Sequence, residues 1–272
     1  SPTRMPPVGR TIVHETAREA LVEWILSLDA ANTVVDVKGY SRRWDFDGTT
    51  GDGVWRDSVQ APAYSSGKIV QALAFDGVDD AVDLGPLDVP GGDGLTITFW
   101  FKADDFGISD ARFLSKADGQ FDDDHYWMVS TLNPRKLRFR LKAGGVTSNL
   151  SSANDTVSAG VWTHVAARYD GATMKIFKDG IQVASQAKSG VLDTSGTVDA
   201  AIGNQPTTAS GGGRPFDGLI DDMRIYPRAL SVAEIGTVRD AGGTLNSAPT
   251  VHIDQPAGAI GARNFLTRAA AA

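Results

Sequence analysis

The sequence predicts an all-β fold in which two layers of antiparallel strands pack as a sandwich. From Leu95 to Phe101 apolar and polar side chains alternate with the period of two that is typical of a strand with one buried face. Leu137 to Leu141 alternates in the same way, and Lys175 to Val183 places an Asp-Gly pair between two apolar runs, as in a hairpin turn. Many short strands separated by turns, with little helical pattern, indicate a sandwich of two sheets.

Helical patterns occur only near the two ends of the chain. Between Thr16 and Leu28 apolar residues recur at steps of three and four, which predicts an amphipathic N-terminal helix. Ser231 is followed three residues later by Glu234, a capping-box spacing that predicts a short helix closing the sandwich. Three of the four glutamates precede residue 24, so the change in composition indicates a boundary after residue 29.

The composition argues against several classes of protein. The net charge is −7 and the 26 basic residues are scattered, whereas a nucleic-acid-binding surface needs clustered lysine and arginine. With no cysteine, the chain has no disulfides, thiolate metal sites or cysteine nucleophiles. No apolar run reaches the roughly 18 residues of a membrane helix, and the first residues lack the order of a signal peptide. We therefore expect a monomeric module from a longer protein.

Four blocks of sequence carry a resemblance to a known family. The run from Phe75 to Leu84, with its acidic turn Asp-Gly-Val-Asp-Asp, resembles a signature of the laminin-G-like, concanavalin-A-like jelly-roll domains. Three later blocks agree in order: Trp162 to Asp170, Met174 to Val183 and Phe216 to Ile235. The resemblance implies a two-sheet antiparallel jelly-roll sandwich over residues 44–242, with a linker over 30–43. Residues 243–272 are interpreted as a second linker and the start of a following β module.

Residues 1–29 resemble the last part of a c-type cytochrome domain. In that family the Met of a Met-Pro-Pro segment is an axial haem ligand, which would correspond to Met5. The chain has no Cys-x-x-Cys-His motif, so no haem can be attached to it covalently. The alternative is an ordinary N-terminal helix that docks on the sandwich.

The resemblance also implies a structural calcium ion where the N-terminal region meets the last long strand. Residue by residue, it points first to Asp221 and then to Asp57, with Asp76 and Asp79 as weaker candidates. Calcium takes roughly 6 to 8 oxygen ligands, commonly carboxylates and loop carbonyls. A rival alignment begins the first strand at Leu21 and puts Asp36 in the place of Asp57. Without an ion, Asp76 would only shape its turn, and Asp221 would pair with Arg224 or a backbone amide.

A polar, acidic and aromatic segment from Asp122 to Trp127 is the predicted carbohydrate site. Aromatic rings stack on the apolar faces of sugars, and planar polar side chains bind hydroxyls. The alternative places Trp127 in the core and makes the aspartates a solvated turn. The predicted ligand-binding residues are Asp124, His125, Tyr126 and Trp127, joined from other loops by Arg112, Asn204 and Arg214.

Catalysis is not expected. Retaining glucanases of the resembling family use two glutamates on one strand, whereas Glu234 is the only glutamate after residue 23. The sequence therefore predicts a non-catalytic, calcium-stabilised module of an exported bacterial protein, extracellular or periplasmic, that binds a glycan or a cell-surface protein. A purely structural or protein-adhesion spacer is the alternative, and an aspartate-based hydrolase or lyase is the remote one.

Overall fold

A computed structural model describes Val37 and residues 39–89, 92, 94–119, 121–211 and 213–244 of the 272-residue chain. Within them, fifteen strands form two antiparallel sheets, and one α-helix follows the last strand. The predicted N-terminal helix, Met5, Asp36 and the proposed β module after residue 244 lie outside the described residues. No helix in the described part is long and apolar enough to cross a membrane.

The first sheet, sheet A, has eight strands in the order β13-β12-β11-β6-β15-β4-β3, with β1 also paired to β15. Its strands are β1 (Arg42–Trp44), β3 (Ala63–Ser66), β4 (Gln71–Asp76), β6 (Leu95–Ala103), β11 (Thr163–Tyr169), β12 (Thr173–Lys178), β13 (Ile181–Ala187) and β15 (Asp217–Tyr226).

The second sheet, sheet B, has seven strands in the order β10-β9-β8-β7-β14-β5-β2. Its strands are β2 (Val54–Arg56), β5 (Ala81–Gly85), β7 (Arg112–Ala117), β8 (His125–Leu132), β9 (Lys136–Ala143), β10 (Val146–Ser151) and β14 (Ala200–Ile202), with a 3-10 turn at Asp122–Asp124. The predicted fold class, an all-β sandwich of two antiparallel sheets, is confirmed.

Strand β6 shows how the alternating pattern builds the core. Ile97, Phe99 and Phe101 are fully buried and face sheet B, where Phe113 of β7 lies 4.9 Å from Phe99 and 4.5 Å from Phe101 between ring centroids. The sequence predicted that only this face would be buried. In the structure the opposite face is also covered, and Thr98 has no exposed surface. Strand β6 lies between β11 and β15 in the middle of sheet A, so neighbouring strands flank both of its edges. On the face opposite the core, the Thr96 hydroxyl donates to the carbonyl of Arg228, in the segment after β15, at 2.8 Å.

Helix α1 (Val232–Thr244) accounts for part of this second covered face. Its side chains Ile235 and Val238 join Phe177 and Tyr226 of sheet A in a small separate hydrophobic cluster. The predicted capping box is present, because the backbone amide of Ser231 donates to Glu234 and the amide of Glu234 donates to Oγ of Ser231. These contacts place the closing helix on the side of sheet A away from the core.

The start of the sandwich agrees with the alignment that begins near Trp44. Strand β1 starts at Arg42 and pairs with β15, and Trp44 and Phe46 are buried in the main core. Val37 is also buried, and its carbonyl accepts a hydrogen bond from the Tyr226 hydroxyl at 3.0 Å. Part of the predicted linker is therefore packed against the sandwich.

The acidic turn after β4 connects the two sheets. The sequence suggested one strand broken by a turn from Ala72 to Leu84, but β4 belongs to sheet A and β5 to sheet B. The connection from β2 to β3 crosses between the same two sheets, and both connections lie at the edge where β2 and β3 end the strand order. Two crossings therefore meet at one edge of the sandwich, which we call the seam.

Candidate functional site

Local hydrogen bonds fix the two connections that form the seam. Asp57 follows β2, and its two carboxylate oxygens accept the backbone amides of Val59 at 2.7 Å and Gln60 at 2.8 Å. After β4, Asp76 accepts the amide of Val78 at 2.8 Å, and Gly77 adopts a φ of 75° that favours glycine. Both turns are therefore held by their own aspartates.

The seam brings three carboxylates together. One carboxylate oxygen from each of Asp57, Asp79 and Asp80 lies within 4.8 Å of the others. Asp80 is only 5% exposed; its Oδ2 accepts the backbone amide of Asp76 at 2.9 Å, while its Oδ1 has no hydrogen-bond partner among the described residues. Burial, together with the charges of the neighbouring aspartates, raises the pKa of Asp80 to about 6.

A pocket of about 120 Å³ opens beside these carboxylates. Trp55, Gln60 and Phe75 line it together with Asp57 and Asp80, so it adjoins both connections of the seam. Of the four residues predicted to bind calcium, the structure brings Asp57 and Asp79 together and adds Asp80. Asp76 borders the same pocket but is not part of the three-residue group.

Asp221 is not part of this group. Asp76 pairs with Asp217 on β15, and Asp221 lies four residues farther along that strand, a distance of roughly 13 Å at 3.3 Å per residue. It is fully buried; its Oδ2 accepts the amide of Ile69 at 2.7 Å, and its Oδ1 has no hydrogen-bond partner among the described residues. The contact to a backbone amide is one that the sequence analysis considered.

A second carboxylate, missed by the sequence analysis, lies near Asp221. Burial, together with the charges of Asp222 and Asp47 and against the effect of the Ile69 amide, raises the pKa of Asp221 to about 8. Asp47 holds the same turn from the other end, since it accepts the amide of Gln71 at 2.9 Å. The neighbouring Asp222 instead pairs with Arg224 at 2.8 Å and with Arg43 at 3.0 Å.

The predicted carbohydrate cluster is mostly buried. Trp127 belongs to the main core and has no exposed surface, so the expectation that it stacks on a sugar is corrected. The physical reason is the alternation of β8, which turns Trp127 inward opposite Leu141 and leaves Tyr126 facing outward. Tyr126 is half-buried, with the ammonium groups of Lys116 and Lys142 lying 5.6 and 5.2 Å from its ring centroid.

An exposed aromatic residue that the sequence analysis overlooked stands just before this cluster. Phe121 is 70% exposed and precedes the 3-10 turn Asp122–Asp124. The turn is fixed to sheet B, because Lys142 donates to the carbonyl of Asp123 at 2.9 Å and Asn149 donates to Asp122 at 3.0 Å. Asp124 accepts the amide of Phe121 at 2.9 Å. Phe121 is therefore presented to solvent from a firmly held loop.

Beneath this loop lies a group of arginines, which we call the arginine floor: Arg112, Arg138 and Arg140. Arg112 on β7, Ser130 on β8 and Arg138 on β9 form one row across sheet B, on the face opposite the core. The Asp110 carboxylate forms ion pairs with both Arg112 and Arg138. Arg140 pairs with Asp122 at 2.8 Å. The three buried guanidinium groups thus have two carboxylates as partners here.

The remaining predicted ligand residues surround the arginine floor. The imidazole of His125 lies between Arg112 and Arg140, with its Nε2 3.3 Å from a nitrogen of each, and its Nδ1 is 2.8 Å from the carbonyl of Phe121. Burial and the two arginines lower the pKa of His125 to about 3, so the ring is neutral at pH 7. In the neutral ring, Nδ1 carries the hydrogen and donates it to the Phe121 carbonyl. Asn204 is buried and accepts the amide of the half-buried Arg214 at 2.7 Å.

The positive charge of the floor is not fully compensated. Burial, together with the charges of Arg140 and Arg214, lowers the pKa of both Arg112 and Arg138 to about 9. Both groups remain protonated at pH 7. The arrangement can therefore attract an anionic group to the loop surface above it.

A family model described as the concanavalin A-like lectin/glucanases superfamily matches residues 76–236. The chain belongs to this superfamily. No curated protein sequence matches it.

Solved structures with the same fold include a domain of an arabinanase and two toxin binding domains. Domain 4 of AbnA, a GH43 extracellular arabinanase from Geobacillus stearothermophilus, in complex with arabinotriose, has a TM-score of 0.52 at 20% identity, covering 74% of this chain and 98% of that one. The botulinum neurotoxin type G receptor binding domain has a TM-score of 0.52 at 12% identity, covering 75% and 51%. The binding domain of Paraclostridial Mosquitocidal Protein 1 gives 0.51 at 12%, covering 70% and 47%. The chain spans about half the length of the two toxin chains, and these identities show the fold alone.

The superfamily match contains only some of the acidic residues described above. The match contains Asp79, Asp80 and Asp221 but begins after Asp47 and Asp57. Where the N-terminal aspartates lie relative to the concanavalin A-like signature depends on which sheet each connection crosses to. For Asp80 a signal was present, since it follows Asp79 directly in the acidic turn.

Proposed function

We propose that this concanavalin A-like chain is a non-catalytic carbohydrate-binding module of an exported bacterial protein. The observation that carries the proposal is Phe121, an exposed ring on a loop that hydrogen bonds hold rigidly against sheet B. Aromatic rings bind the apolar faces of sugars, and a pre-organised loop loses little entropy on binding. Asp122 and Asp123 directly follow Phe121 in the same loop and carry carboxylates that can bind hydroxyls.

The similar structures support this proposal without deciding it. The arabinanase domain is described in complex with arabinotriose. It is domain 4 of an enzyme described as a GH43 extracellular arabinanase. We also propose that the present chain is extracellular or periplasmic. A protein-adhesion spacer remains the second candidate, because the toxin domains of this fold are described as receptor-binding or binding domains.

We propose a structural calcium ion at Asp221 as part of the same function. The residues fit such an ion, because the buried Asp221 has one oxygen without a hydrogen-bond partner among the described residues and its neighbour Asp47 is a second carboxylate. The Gln71 carbonyl oxygen and Oδ2 of Asp221 both lie beside Gly67, and calcium commonly combines carboxylates with such carbonyls. The ion would neutralise a carboxylate that is otherwise costly to bury in its charged form.

A glycan array with and without calcium tests the binding function. We expect Phe121→Ala to reduce glycan binding at least tenfold while the far-ultraviolet circular dichroism stays unchanged. Ile181→Ala is the matched control, since Ile181 is also 70% exposed but lies at the edge of sheet A. Equal binding by wild type and Phe121→Ala would exclude this surface, and an array with no binding at all would favour the spacer.

A further inference from the structure

We propose that Asp57, Asp79 and Asp80 form a second divalent-cation site at the seam, separate from Asp221 and suited to Ca²⁺. This site does not depend on carbohydrate binding. The sequence analysis placed Asp57 and Asp221 around one ion, whereas the structure divides the acidic residues between two places. Of these two places, the seam is the one where the chain crosses between the two sheets.

The geometry of the group suits a hard cation. The three carboxylate oxygens lie within 4.8 Å of one another, a spacing from which small side-chain shifts bring all three to the 2.3 to 2.6 Å typical of calcium–oxygen bonds around one ion. Without a cation, three carboxylates at such distances repel one another unless solvent or protonation relieves them. Asp57 and Asp79 are half-buried, so the group is only partly in contact with solvent.

The independent observation is the free oxygen of Asp80. An exposed cluster of acids is relieved by water, but Asp80 is 95% buried and its Oδ1 has no hydrogen-bond partner among the described residues. Its other oxygen is engaged by the Asp76 amide, which fixes the carboxylate in orientation. A buried acceptor without a partner is costly, and a cation between the three carboxylates would satisfy it.

The position of the site gives it a structural consequence. Asp57 belongs to the connection from β2 to β3, and Asp79 and Asp80 belong to the connection from β4 to β5. Each connection joins sheet B and sheet A. A cation held by both would link the two crossings directly, next to the pairing of β2 with β5 and of β3 with β4 that already holds their strands together. The adjoining pocket leaves room on one side of the ion for water or another oxygen ligand.

The test uses terbium, which replaces calcium and emits when a nearby tryptophan is excited. The full chain carrying Asp221→Asn isolates the seam from the Asp221 site, and Trp55 in the adjoining pocket acts as the sensitiser. In this background we expect saturable terbium emission, displaced by calcium, and a heat of calcium binding by calorimetry. Adding Asp79→Asn should weaken both at least tenfold, and Asp80→Asn should do the same.

Trp55→Phe is the matched control, because it should reduce the sensitised emission while the calcium affinity from calorimetry stays within twofold. Asp79→Asn is the variant least able to disturb folding, since Asp79 is half-buried and makes no hydrogen bond that holds its turn. No saturable calcium binding in the Asp221→Asn protein would overturn the second site. Binding in that protein that ignores Asp79→Asn would overturn it too. Neither result would contradict the calcium ion proposed at Asp221.

Discussion

His164 on β11 is a buried imidazole whose charge state affects stability. It is 1% exposed and packs edge-on against Trp100 at 5.2 Å, and neither ring nitrogen has a hydrogen-bond partner among the described residues. Burial, together with the charges of Arg239 and Arg224 and against the smaller effect of Asp240, lowers its pKa to about 3. The folded protein therefore holds this ring neutral where the unfolded chain would protonate it.

We expect this histidine to destabilise the protein as the pH falls. The unfolded ring takes up a proton below about pH 6.5, whereas the folded ring does so only near pH 3, so stability is lost between these values by up to about 1.4 kcal/mol per pH unit. His164→Phe should keep the pH 7 stability within about 1 kcal/mol and remove the part of the slope that is due to His164, while His125, whose pKa is also lowered to about 3, keeps its own part. Urea unfolding at pH 7, 6, 5 and 4 measures it. An unchanged slope in the variant would contradict the assignment.

The core position of Trp127 leads to a second prediction. Because its ring is fully buried opposite Leu141, Trp127→Ala should cost about 3 to 5 kcal/mol of unfolding free energy. Phe121→Ala, at an exposed position, should change stability by less than about 0.5 kcal/mol. Chemical denaturation of the two variants measures the difference. A Trp127→Ala protein as stable as wild type would show that this ring does not belong to the core.

Residue identity alone predicted some of these roles and missed others. The turn chemistry of Asp76 and Gly77 can be read from the sequence because it depends on adjacent residues. Asp47 could not be assigned to Asp221, since 174 residues separate them and only the pairing of strands brings them near. The sequence analysis missed Phe121 because the exposure of its ring depends on how the loop attaches to sheet B. The three aspartates that follow it in the sequence do not indicate this attachment.

Among the elements, helix α1 depends most directly on a local motif. Ser231 and Glu234 exchange hydrogen bonds at its start, and Glu234 also pairs with Arg228 at 2.7 Å. Ser231→Ala should therefore cost about 1 kcal/mol, while Ser231→Asp should retain most of the stability because aspartate also caps helices. Thermal unfolding followed by circular dichroism compares the two. Equal losses in both variants would show that the side-chain oxygen of residue 231 is not the cap.

Elements with local signatures were predicted well. Strand β6 and the hairpin of β12 and β13 follow from period-two alternation and from the Asp179-Gly180 turn, whose φ angles are 52° and 81°. The assignment of β4 and β5 to different sheets could not be predicted in this way. A short acidic turn can close a hairpin or cross to another layer, and the choice depends on which distant strands are available for pairing.

For the whole molecule, calcium at Asp221 should act through mass action. A ligand that binds only the folded state stabilises it by about 2.7 kcal/mol at 100 times its Kd. Excess calcium should therefore raise the melting temperature by several degrees over chelator, and Asp221→Asn should remove a large part of that shift. Arg168→Ala should leave it intact, because Arg168 on β11 pairs with Asp170 and not with a proposed calcium ligand. A calcium shift unaffected by Asp221→Asn would place the stabilising ion elsewhere.

The distribution of charge over the molecule makes a prediction about the ligand. The chain carries a net charge of −7, yet the arginine floor concentrates three buried guanidinium groups under the Phe121 loop, with Arg214 beside them. Asp110 and Asp122 form ion pairs with these arginines, and the pKa values of Arg112 and Arg138 are still lowered by Arg140 and Arg214, which indicates a positive potential within the arginine floor itself. Among sugars, those with a carboxylate or sulfate group should benefit from it.

We therefore expect an oligosaccharide containing uronic acid to bind at least tenfold more tightly than a neutral one of equal length at low salt. The advantage should shrink as the salt concentration rises, since exposed charges are screened within about 10 Å at 0.1 M. Arg214→Ala should reduce the preference without abolishing neutral binding, because Arg214 is half-buried beside the loop, whereas Arg168→Ala should leave it unchanged. A sulfated oligosaccharide tests whether charge alone suffices. Tighter binding of the neutral sugar would mean that the arginines serve only to hold the loop on sheet B.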